Sequence, residues 1–114
     1  MGTAEAGRHP VGEVVVNGAH LPIRNSVLSE LTSSAADIAQ DWDDRAVLTS
    51  PVAQMSLSLD GLEPDQARRI ALAVVAASEQ VRRSYSTAGQ PPSDVEAAAQ
   101  LSAIAMFVGR AYGV

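Results

Sequence analysis

Cysteine and lysine are both absent from this chain. Without cysteine there is no disulfide and no thiolate metal site. Aromatic residues make up only 4% and charged residues 18%, against 46% hydrophobic, so the apolar content comes from Ala, Val, Leu and Ile. Such small side chains let helices approach closely, but each buries little area, at roughly 25 cal/mol per Å². A fold made from them gains from a second subunit.

Other absences narrow the function. No run approaches the ~20 apolar residues that span a bilayer. The first residues, Met1 to Arg8, carry neither a basic n-region nor an apolar h-region, so they do not read as a signal peptide. A cytoplasmic protein without membrane contact is the expectation. Net charge is −5 and the arginines are scattered, which leaves no nucleic-acid footprint. There is no Gly-rich phosphate loop, no His/Glu metal spacing and no Ser or Cys nucleophile motif. Accordingly no catalytic residue, cofactor or metal ligand is assigned.

What is present is an architecture. The 114 residues fit one domain, with residues 1–11 as a flexible arm and 12–114 as the folded part. Glu13-Val14-Val15-Val16-Asn17-Gly18-Ala19-His20-Leu21-Pro22-Ile23 reads as a hairpin, because Asn-Gly tolerates positive φ at both turn positions. A two-residue turn pairs Val16 with Ala19, Val15 with His20, Val14 with Leu21 and Glu13 with Pro22. That register gathers Val14, Val16, Ala19, Leu21 and Ile23 on one face. Pro22 cannot donate to a ladder and belongs at a sheet edge or strand end.

A first helix follows, capped by Asn25 or Ser26, with Leu28, Leu31, Ala35, Ile38 and Trp42 as its stripe. It is expected to run into Asp41-Trp42-Asp43-Asp44, where negative charge meets the negative end of the macrodipole. A third strand over 52–59 puts Met55, Leu57 and Leu59 on one face. It is expected to follow a right-handed crossover and to run parallel to the strand at 19–23. Pro64 opens a second helix, behind Glu63 as a weak cap. After the break at Gly89-Gln90-Pro91-Pro92, Ser93-Asp94-Val95-Glu96 is a capping box for a third. The expected fold is α+β in the order β-β-α-β-α-α, a small sheet with helices on one face.

The segment Met55-Ser56-Leu57-Ser58-Leu59-Asp60-Gly61-Leu62-Glu63-Pro64-Asp65-Gln66-Ala67-Arg68-Arg69 resembles one common in small actinobacterial proteins of unassigned function. In those a strand runs into a Leu-Thr-Pro-Glu-Gln-Ala-Arg type helix start. Glu63 stands here in place of the capping Thr. The resemblance implies a GC-rich origin, in line with the all-arginine usage, and transfers no activity or site residue.

Several groupings invite a functional reading beside a plainer one. Asp37, Asp41, Asp43 and Asp44 form the densest acidic cluster, but no Gly sits at the EF-hand's sixth position, where Ala46 stands. A solvated helix end is the simpler reading. His20 lacks a nucleophile partner, and His9 lies in the arm. Arg68-Arg69 and Arg82-Arg83 are about four helical turns apart and read as the wet ends of an apolar helix. Trp42 reads as a core or interface anchor.

The apolar surplus lies in Ile70 to Ala77 and Leu101 to Val108. A helix that is apolar all round must be covered on more than one side. Ile70, Leu72, Val74, Val75, Leu101, Ile104, Phe107 and Val108 are therefore the expected contact residues of a homodimer, the commonest closed symmetry. The leading functional expectation is a non-enzymatic interaction or regulatory protein, acting as a homo-oligomer, with an unidentified protein as a further partner. The alternative is a small-ligand-binding protein or cofactor-independent enzyme, with a pocket between sheet and helices around Trp42, His20 and Tyr85.

Overall fold

Val14, Val15 and Val16 are buried in succession, and that places their strand in the middle of the sheet. The computed structural model describes residues 11–50, 56–85 and 95–114. Of the expected arm over 1–11, residues 1–10 lie outside these, as do the strand start at 52–55, the break at 89–92 and the capping residues Ser93 and Asp94, whereas Val11 belongs to the first strand. The elements are β1 (Val11–Val16), β2 (Ala19–Arg24), α1 (Asn25–Ile38), α2 (Trp42–Thr49), β3 (Ser56–Ser58), α3 (Pro64–Ser84) and α4 (Val95–Tyr112).

The class is α+β, with a three-stranded mixed sheet in the order β2-β1-β3. β1 and β2 pair antiparallel in the expected register, from Val16 opposite Ala19 to Glu13 opposite Pro22. The Asn17-Gly18 turn has φ of 52° and 79°, the left-handed values that favour these two residue types. Pro22 sits on an edge strand, where its missing N–H is harmless. β3 runs parallel to β1, with Val14 opposite Leu57, and not beside the strand at 19–23. The crossover rule fixes handedness but not which neighbour the returning strand joins. Leu59 N–H extends the pairing to the Val15 carbonyl at 3.0 Å.

The helical region also departs from expectation, because the first helix is two helices. α1 ends at Ile38, and Asp41 caps α2 by accepting the Asp43 N–H at 2.9 Å. The aspartates therefore sit at a helix start, where negative charge is favourable, and not at a helix end. The order is β-β-α-α-β-α-α. Neither Asn25 nor Ser26 caps α1, since β2 passes straight into it and Arg24 holds the cap position with an extended ψ of 138°. α3 opens on Pro64 behind Glu63, whose side chain makes no capping bond.

α3 packs against both α1 and α4, and α1 and α4 in turn rest on β1 and β2. One core joins Val14, Val16, Ile23, Leu57 and Leu59 of the sheet to Leu28, Leu31, Ile70, Val74, Leu101, Ile104 and Val108. Arg24 ties the end of β2 to α4, with its backbone N–H on Gln100 at 3.1 Å and its guanidinium on Glu96 at 2.7 Å. The hairpin turn is held from the other side. Asn17 and Gly18 donate their backbone N–H groups to the two carboxylate oxygens of Asp60, at 2.7 and 2.8 Å.

This clamp joins residues far apart in sequence without adding apolar area. Replacing Asp60 with Ala should cost about 1 kcal/mol, read by urea denaturation, with the loss concentrated in amide protection of the turn. Unchanged stability would show that the turn holds itself.

Candidate functional site

α4 carries two apolar stripes. Ala97, Leu101, Ile104 and Val108 are buried in the core, while Ala103, Met106, Phe107, Arg110 and Ala111 recur at helical spacing on an adjoining face. That second face meets Val16, Asn17, Ala19 and Leu21 of the hairpin across a cleft of about 580 Å³. Ala19, Ala103 and Ala111 keep the cleft open because their side chains are short. Met106 is 63% exposed at its rim. Of the described residues in the lining, Arg110 is the one with a charged side chain. Among the described residues it makes no ion pair. Behind the hairpin turn, Tyr112 is half-buried, and burial aided by the Asp60 charge pushes its phenol up.

A second cleft, of about 440 Å³, lies where the α1–α2 corner meets α3. Ile38, Ala39, Leu72, Ala73 and Ala76 form its apolar part, and Asp41, Asp44 and Arg69 its charged end. Asp44 is only 3% exposed. It accepts Arg69 Nε at 2.9 Å and Nη2 at 3.2 Å, and Asp41 stands 3.9 Å from the same guanidinium. The Arg69 hydrogen bond, helped by Gln66, holds the Asp44 carboxyl below its ordinary range although burial opposes this. A third groove, of about 430 Å³, is polar: Ser29, Glu30, Ser33, Ser34 and Asp37 of α1 face Gln80 and Ser84 of α3.

The acidic cluster is thus divided. Asp44 is bound to Arg69, Asp41 caps α2, Asp43 is exposed, and Asp37 lines the polar groove. Among the described residues no group of three or more His, Asp or Glu is arranged to hold a metal ion. Trp42 is 77% exposed, so it is not a core anchor. The break before α2 takes it out of phase with the α1 stripe that ends at Ile38.

The structure does not bring Trp42, His20 and Tyr85 together. His20 pairs with Glu13 at 3.1 Å on the outer face of the sheet, and Tyr85 donates its hydroxyl to Glu30. None of these clefts is lined by any of the three. Arg82 is bound to Glu79 at 2.8 Å, while Arg68 and Arg83 are exposed.

The expected contact residues fall into two groups. Ile70, Val74, Leu101, Ile104 and Val108 are fully covered by the chain's own helices. Leu72 is half-exposed, and Val75 and Phe107 are partly covered. The apolar cleft and Arg110 were not singled out from sequence; the signal available was the second i, i+3, i+4 stripe on α4. No protein-family model, curated protein or solved structure gives a significant match to the chain. Among the described residues no helix is long and apolar enough to cross a membrane.

Because folding lowers the Asp44 pKa, its ionised form stabilises the fold above the ordinary value of 3.8, and the contribution disappears as pH falls below that value. An Asp44→Asn variant should be less stable than the parent at pH 7. Thermal melts should show the difference narrowing as pH falls below 3.8 and the Asp44 carboxylate takes up its proton. A gap that persists unchanged at low pH would mean that packing, not the ion pair, holds the corner.

Proposed function

We propose that the protein is a non-enzymatic interaction or regulatory protein that self-associates through the apolar surface left on α3 and α4. The supporting observation is the run of uncovered apolar side chains after the core is complete. Leu72 and Met106 are 50% and 63% exposed. On α3, Leu72 lies one turn from Val75 and Ala76. A Cβ on Gly109 would come within 4.0 Å of Val75 Cγ2, so the helices meet closely at that point. Gly109 shares a shallow cleft with Ala105 and Met106.

The apolar strip is made of Leu72, Val75 and Ala76 on α3 and Ala105 and Met106 on α4, with Asp41, Asp44 and Arg69 bordering it at Leu72 and Arg110 at Met106. Its small residues let a second backbone come near, and Met106 adapts to whatever shape it meets. A two-fold axis through such a strip would cover the same residues on both copies.

Sedimentation equilibrium should find a dimer at about 10–100 μM, in the weak range expected of a small, aromatic-poor interface. Leu72→Glu and Met106→Glu should each raise the dissociation constant at least about tenfold, with circular dichroism unchanged because both positions are exposed. A monomer at every concentration would refute self-association.

A further inference from the structure

We propose that the cleft between the hairpin and α4 binds a small amphipathic carboxylate, an aliphatic chain of medium length ending in one anionic group. This goes beyond the self-association reading, and because Met106 borders both surfaces its test is run at a concentration where the protein is monomeric. At about 580 Å³ the cleft lies within the range of small-ligand sites. Its walls are Val16, Leu21 and Phe107, and Ala19, Ala103 and Ala111 leave room between them. A flexible aliphatic chain fills such a space, and Met106 at the rim can close over it.

Arg110 supplies the other half of the recognition. A guanidinium presents paired N–H donors that match a carboxylate. Comparison with the α1–α2 corner sharpens the assignment. That cleft is also largely apolar and also holds an arginine, but there Asp44 already occupies the guanidinium. Among the described residues, the polar groove between α1 and α3 has no cation in its lining. Arg110 stands alone in an apolar cleft on a chain whose net charge is −5.

Its position in the last turn of α4 also complements the helix macrodipole. That role requires no cleft, and it tempers affinity, since a bound anion meets the negative end of the helix. Asp60 lies beyond the turn with both carboxylate oxygens engaged by backbone N–H groups.

The test is an NMR titration of isotope-labelled protein with decanoate and, separately, decanol, each kept below micelle formation. Decanoate should shift the amides of Val16, Ala19, Leu21, Ala103, Phe107 and Ala111, and should bind about tenfold tighter than decanol. Arg110→Gln should remove that difference and leave decanol binding as it was. Ala103→Trp, at an exposed position, should abolish binding of both while circular dichroism stays the same. The proposal is overturned by the absence of shifts at these amides up to about 1 mM decanoate. It is equally overturned if decanol matches decanoate in the parent protein, or if Ala103→Trp leaves binding intact.

Discussion

A helix whose side chains are apolar on nearly every side has to be covered along most of its circumference, and α3 is such a helix. Over Ile70 to Ala77 it offers Ile, Ala, Leu and Val without a polar residue between them. Exposing that surface would forfeit roughly 25 cal/mol per Å². The rest of the fold answers this demand. α1 brings Leu28, Leu31 and Ala35 to one flank, and α4 brings Leu101, Ile104 and Val108 to another. The small sheet closes the core from below through Val14, Val16, Leu57 and Leu59. Alanine at 71, 73 and 77 lets the neighbouring helices come near enough to exclude water.

Because α1 and α4 supply the cover, the helices' remaining apolar residues are few and lie at the margins. Leu72 and Ala76 border the cleft at the α1–α2 corner, and the second stripe of α4 faces the hairpin. Both surfaces proposed to act arise from the same excess, one turned outward along the helices and one turned toward the sheet. Met106 belongs to the edge of each. The short α2 is held differently, by buried Leu48 and by the Asp44–Arg69 pair. An ion pair suits that corner because α2 has too little apolar surface to dock by packing alone.

How much of this could be read beforehand depends on how local each signal was. The hairpin register followed from Asn17-Gly18 and the alternation around it, both confined to a dozen residues. Pro64 marked the start of α3 for an equally local reason. The break between α1 and α2 is not legible in the sequence because no Gly or Pro announces it. Asp41 followed by Asp43 and Asp44 is helix-start chemistry, but the same residues resemble an acidic helix end where no break is signalled before them. β1 as the central strand was foreshadowed by three consecutive valines, a pattern that alternation-based reading passes over.

Burial by the chain's own helices was the least legible feature. Ile70, Val74 and Leu101 were singled out for their apolarity, and sequence alone does not say whether such residues meet another helix of the same chain or of a second copy. The Asp44–Arg69 pair and the lone Arg110 depend likewise on which elements come together. Native-state hydrogen exchange on α3 separates those two sources of cover most directly. The account predicts that the amides of residues 70–78 are the slowest to exchange, at a rate that does not change as the protein is diluted to monomer. Protection that falls on dilution would contradict it, because the cover of α3 would then come from a second chain.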